Sequence, residues 1–177
     1  MILPQENNSA NGVSTALRYR IVGDRVVVAM SGGVDSSAAA LLLADQGFDV
    51  VGVSMQVWDY RENGGNAARA TCCAPADFDD ARSVADLAGF PFYVFNFGDS
   101  FRKAVIDPFV ESYLRGVTPN PCIECNRRVK FHELRERAAS LGARFVATGH
   151  YAQIFQKSDG CYGLFTARDE RKDQSYF

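Results

Sequence analysis

Long apolar stretches are missing from this chain. No run approaches the ~18 residues a helix needs to cross a bilayer, so no membrane-spanning segment and no membrane partner are expected. The first 20 residues are polar and hold no apolar h-region, which argues against a secretion signal and for a disordered lead-in over 1–20. Charge of one sign is also scarce. With a formal net charge of −2, nucleic-acid binding would need a local basic patch. Arg127, Arg128, Lys130, Arg135 and Arg137, diluted by Glu133 and Glu136, are the candidate, although such a run more commonly forms a solvated helix face. The five cysteines, an odd number with a vicinal pair at Cys72 and Cys73, make a poor disulfide framework and favour a reducing, cytoplasmic setting.

Hydrophobic residues make up 47% of the 177, enough to fill the core of one α/β domain. Strand and helix patterns alternate along the chain. Strands are expected over Arg25–Met30, Asp49–Met55, Phe92–Asn96 and Arg144–Thr148. Helices are expected over Ser36–Gln46, Pro75–Ala88, Asp99–Arg115 (kinked or split at Pro108) and Arg127–Ser140. Gln56–Thr71 reads as a polar loop, long for a compact domain, and Thr118–Asn126 as an irregular one. Ala152–Phe155 and Tyr162–Thr166 read as a hairpin. The alternation implies an α/β fold with a mostly parallel sheet and helices on both faces. In such sheets ligands bind beyond the carboxyl ends of the strands. Ser31–Ser36, Met55 and Thr148-Gly149-His150 all fall there.

Ser31-Gly32-Gly33-Val34-Asp35-Ser36 follows the first strand and opens the first helix. Glycines there let backbone amides approach an anion, and the helix dipole favours negative charge. Ser31 and Ser36 add hydroxyls, and Asp35 can hold magnesium. No lysine follows the second glycine, so the segment is not the P-loop of kinases, and it is not Gly-x-Gly-x-x-Gly. It resembles the PP-loop of ATP pyrophosphatases, which cleave ATP between the α and β phosphates. Met55 is placed either against adenine or in the core.

Residues 118–126, Thr-Pro-Asn-Pro-Cys-Ile-Glu-Cys-Asn, carry a second signal. Cys122 and Cys125 sit three apart beside Arg127 and Arg128, a setting that lowers a thiol pKa. Three readings stay open: half a zinc site, ligands to an iron–sulfur cluster, or a catalytic thiol. No second Cys-x-x-Cys or His pair follows to complete a zinc site. Cys161, Cys72, Cys73 and His132 read as structural or surface residues, while His150 divides between a place near phosphate and local hydrogen bonding.

Five segments occur in order: the Ser-Gly-Gly-Val-Asp-Ser-Ser loop, Thr-Pro-Asn-Pro-x-x-x-Cys-Asn, Lys130-Phe131, Ala147-Thr148-Gly149-His150-Tyr151 and Lys172-Asp173-Gln174-Ser175-Tyr176-Phe177. Together they resemble the tRNA-specific 2-thiouridylases, members of the PP-loop superfamily with a Rossmann-like, adenine nucleotide alpha-hydrolase-like fold. The resemblance implies a PP-loop domain over 21–151, with 152–177 as a hairpin and the start of a central domain. That central domain would supply a second catalytic cysteine. It implies that Ala29, Met30, Ser31, Gly32, Gly33, Val34, Asp35, Ser36, Met55 and Gly149 contact ATP. Asn120, Pro121 and Cys122 would lie against the target base, Cys125 and Cys122 would be catalytic, and Lys172, Asp173 and Gln174 would contact tRNA. Some members carry Asp at position 122; with Cys there, the pair with Cys125 resembles the subgroup associated with an iron–sulfur cluster. The reaction implied is adenylation of the wobble uridine C2 carbonyl, then sulfur transfer from a persulfide brought by a donor protein. The rival readings are another adenylating PP-loop ligase and a fragment that binds ATP or tRNA without thiolating.

Overall fold

A computed structural model of the chain describes residues 23–57 and 75–176. The lead-in over 1–20, nearly all of the loop expected over Gln56–Thr71, and Cys72 and Cys73 lie outside the described residues.

The valines of the first strand, β1 (Arg25–Ala29), organise the domain. Val26, Val27 and Val28 are each at most 2% exposed, and burying a valine contributes about 1.5 kcal/mol or more. A strand buried on both faces reads as a continuous apolar run rather than an alternating one. β1 lies between β2 (Asp49–Gln56) and β4 (Phe145–Thr148), and β3 (Phe92–Asn96) pairs with the outer side of β2. The order is β3-β2-β1-β4, and every pairing is parallel. Successive side chains point to opposite faces. Val26, Val28 and Val50 therefore meet α1 (Val34–Asp45) and α2 (Pro75–Ala88) through Ala40, Leu43, Ala81 and Ala85. Val27, Val51 and Val53 meet α6 (Leu134–Ser140) through Leu134 and Ala138. Gly52 makes room on the first face, where a Cβ would press within 2.8 Å of Met30 Sδ.

The expected parallel sheet covered on both faces is what the structure has. The α2 and β3 bounds agree to the residue, and α1 begins two residues early. Two helical stretches depart from expectation. The helix expected over Asp99–Arg115 is α3 (Gly98–Phe101), a π-wound turn at Arg102–Ile106, and α4 (Asp107–Leu114). The wider turn precedes Pro108, which has no N–H for the ordinary ladder, and Asp107 N–H reaches back to the Arg102 carbonyl. The segment expected as an irregular loop is partly helical. Asn120 caps α5 (Pro121–Glu124) by accepting the Cys122 N–H at 3.1 Å, and Cys125–Glu133 continues as a π-helix into α6. Asn at a cap followed by Pro at the first helical position is a helix start, because the N–H that proline lacks has no intrahelical partner there.

β5 (Gln153–Gln156) and β6 (Tyr162–Phe165) form the expected hairpin, a separate antiparallel pair with the Phe155 and Phe165 rings 5.5 Å apart. Among the described residues no helix is long and apolar enough to cross a membrane.

Candidate nucleotide site

The site lies where the sheet changes direction. α1 and α2 link β1, β2 and β3 on one face, and the chain then returns along the other face to place β4 beside β1. The segments after β1 and β4 meet there and border a cleft. Ala29, Met30, Ser31, Asp35, Ser36, Met55, Gly149 and Gln174 line it, joined by Phe78, Lys130, Thr148 and His150.

Two glycines allow the walls to meet. Gly32 has φ +75°, a left-handed backbone that a Cβ penalises, and a Cβ there would run into the Asp77 main chain of α2. At Gly149 a Cβ would come within 2.7 Å of the Ser36 backbone nitrogen, so its absence lets the end of β4 lie on the start of α1. Gly33, in extended backbone, is the N-cap of α1 and gives it no side-chain cap. The first amides of that helix are thus left for another acceptor. Ser36 turns inward: its hydroxyl accepts from Ser31 N–H at 3.1 Å and donates to the Gly33 carbonyl at 3.0 Å. It shapes the turn, while Ser31, exposed, is the hydroxyl facing the cleft.

Three polar groups complete the lining. Lys130 comes from the π-helix and brings a positive charge. His150 Nδ1 lies 2.9 Å from Thr148 Oγ1, and its ring is 5.8 Å from that of Phe131. Burial, then the Lys130 charge, hold the His150 imidazole below its ordinary value of 6.5. The sign follows directly. A lowered folded pKa means the unfolded chain takes up a proton first, so stability is full above about 6.5 and falls as pH drops through the lower folded value. Urea midpoints at pH 7 and pH 5 should therefore differ less in His150→Gln than in the parent; an unchanged difference would show that this ring is not responsible. The third group is Asp35, whose Oδ1 accepts from the Tyr151 hydroxyl at 2.7 Å. Its other oxygen has no partner among the described residues.

The remaining sequence candidates sit around this cleft. Gly32, Gly33 and Val34 form the turn and the helix start without lining it, and the Val34 side chain is 83% exposed. Asn120, Pro121 and Cys122 make the exposed first turn of α5. Cys125 is half-buried and packs against Phe97, Val105 and Val129, a cluster that Met55 also joins. Met55 thus serves both core and cleft. Cys125 and Lys130 share one helix, five residues apart. Arg128 is engaged with Glu124 at 2.8 Å.

Lys172, Asp173 and Gln174 lie on a strap over 167–176, and only Gln174 reaches the cleft. The Asp173 carboxylate accepts the N–H groups of Ala167 and Ser175 and the Ser175 hydroxyl, which hold its pKa below the usual range. Sequence reasoning gave Lys130, Phe78 and Tyr151 no part in the nucleotide site. Thr148 lines the cleft from the strand-end segment that topology singles out; Lys130 and Phe78 reach it from their helices, and Tyr151 meets it through Asp35 and Gln174.

The cleft suits a magnesium nucleotide: amides and Lys130 for phosphate, one free carboxylate oxygen for a hard cation that otherwise keeps phosphate and water ligands, and Met30, Met55 and Phe78 as apolar wall. The thiols fit a metal centre less well. Among the described residues no group of three or more His, Cys, Asp or Glu side chains is placed to hold a metal, and two thiols do not close a zinc or iron–sulfur site.

With this geometry, the chain matches the family described as the tRNA methyl transferase HUP domain over residues 24–177. The chain belongs to that family. It is 54% identical over 155 residues to the tRNA-specific 2-thiouridylase MnmA of Geobacter metallireducens, covering 86% of this chain and 42% of that protein. It is 53% identical over 156 residues to the tRNA-specific 2-thiouridylase MnmA of Clostridium perfringens, again covering 86% and 42%. This HUP-domain chain thus spans less than half the length of the curated relatives it matches. Among solved structures it is similar to an NMN synthetase from Francisella tularensis, at TM-score 0.43 and 16% identity, over 73% of this chain and 46% of that one.

Proposed function

We propose that this chain is the adenylating part of a tRNA uridine 2-sulfurtransferase working in the cytoplasm. Support comes from one observation above others: the glycine turn, Lys130 and Asp35 share a cleft in a chain about 53% identical to tRNA-specific 2-thiouridylases. ATP lies with its phosphates on the open amides at the start of α1 and its base toward Met55 and Phe78. The C2 oxygen of the wobble uridine attacks the α-phosphorus, pyrophosphate leaves, and the carbonyl becomes an adenylate. The terminal sulfur of a persulfide, brought by a donor protein, then attacks C2 and AMP departs with the oxygen; the Cys125 thiolate attacks the persulfide's inner sulfur and breaks the S–S bond, so that one sulfur stays on C2 and the two cysteines are left as a disulfide. Magnesium supplies charge neutralisation on the phosphates when bound. The chain's residues supply the rest of the electrostatics: backbone N–H groups and the Lys130 ammonium are fixed before charge develops, so they cost no reorganisation in the reaction. Asn120, Pro121 and Cys122 present the first turn of α5 to the base, Cys125 is the thiol of the sulfur-transfer step, and Lys172, Asp173 and Gln174 form the tRNA-facing strap.

Pyrophosphate release from ATP tests this reading. Release that depends on tRNA carrying the target uridine is expected. Release with a small carboxylic acid but none with tRNA would indicate a ligase, and none at all a binding module. Lys130→Ala should weaken ATP binding about tenfold, the loss expected for one charge-assisted phosphate contact. Titration calorimetry measures it, and an unchanged affinity would remove Lys130 from the site.

A further inference from the structure

Tyr151 touches two parts of the cleft that are far apart in the chain. Its hydroxyl bonds Asp35 across 116 residues of sequence. Its backbone N–H donates to Gln174 Oε1 at 3.0 Å, and its carbonyl accepts from Gln174 N–H at 2.9 Å. The Lys172 ammonium stands 4.9 Å from the centre of its ring. The strap is therefore clamped to Tyr151 by two hydrogen bonds and a cation–π contact, and Tyr151 is clamped to the loop carboxylate.

Resting on the reading that this cleft takes magnesium–ATP, we propose that Tyr151 is a positioning residue through which the docked strap sets the readiness of Asp35 for the metal-bound nucleotide. A carboxylate free to rotate loses that freedom when it meets a cation. One already held through Oδ1, with its second oxygen left open, has little left to lose, and preorganisation of this kind raises affinity without adding a contact. The hydrogen bond is charge-assisted, which makes it strong enough to fix the rotamer. Because coupling between sites is reciprocal, nucleotide in the cleft must in turn steady the strap.

The test uses Tyr151→Phe, which keeps the ring, both backbone bonds and the Lys172 contact. Magnesium is titrated at fixed ATP, and the half-saturating concentration should rise about fivefold, the effect of losing one hydrogen bond to a charged group after partial compensation. Affinity for ATP without metal should be unchanged, which a general loosening of the fold would not spare. Asp35→Asn should raise the magnesium requirement more, and the Asp35→Asn/Tyr151→Phe double variant should match Asp35→Asn alone. Amide hydrogen exchange over 167–176 should slow on adding magnesium–ATP to the parent, and this slowing should shrink in Tyr151→Phe. Asp173→Asn, which loosens the strap from outside the cleft lining, should shift the magnesium midpoint in the same direction. An unmoved midpoint in both Tyr151→Phe and Asp173→Asn, or additive losses in the double variant, would overturn the role of Tyr151. If Asp35→Asn itself left magnesium–ATP binding intact, the nucleotide reading would fail as well.

Discussion

Replacing Gly32 with alanine is expected to abolish ATP binding and to cost about 2–4 kcal/mol of stability. Two penalties add at this position. The backbone is left-handed at φ +75°, where a Cβ meets the carbonyl oxygen. The new methyl would also run into the Asp77 main chain at the start of α2, and backbone cannot step aside as a side chain can. Relief requires α2 to move off the turn, and the turn then loses the shape that aims its amides. Gly33→Ala is the control. Its backbone is extended at φ −77°, and the nearest atom to a Cβ is Ser31 Oγ at 3.5 Å, so stability should stay within about 0.5 kcal/mol. Urea denaturation and calorimetry of both variants give the comparison. Normal ATP affinity in Gly32→Ala would show that the turn is not where phosphate binds.

Cys125→Ser carries the second large effect. In a chain of its relatives' full length, thiolation should fall by a factor on the order of 1000 or more, as when a nucleophile is removed. ATP affinity should change less than about threefold, or roughly 0.7 kcal/mol. The separation is expected because Cys125 is outside the cleft lining and joins it only through the cluster shared with Met55 and through the helix that carries Lys130. Cys125→Ala guards against misreading, since alanine keeps the site apolar against Phe97, Val105 and Val129. If both variants lost ATP binding along with thiolation, Cys125 would belong to the fold rather than to the chemistry. If Cys125→Ala thiolated normally, another sulfur would have to do the work.

Some of this architecture is legible in the amino-acid sequence. The triple valine of β1, the glycines that stop α1, α2 and α6, and the alternation of apolar runs with amphipathic ones report short-range physics: side-chain period, capping and turn chemistry. They led to the α/β class, the strands and the glycine turn. The segment around Cys122 and Cys125 went differently. Its sequence reads as an irregular loop, whereas Asn120-Pro121 is a cap and a first helical residue, and both thiols ride on helix.

By itself, then, the chain determined its strands, its glycine turn and the anion-seeking end of α1, because each depends on neighbours within a few residues. Tertiary structure alone decided that Lys130 would line the cleft and that Tyr151 would tie Asp35 to Gln174. Those outcomes turn on helix rotation and on contacts spanning up to 116 residues, which the packing of the whole core sets and no local pattern encodes.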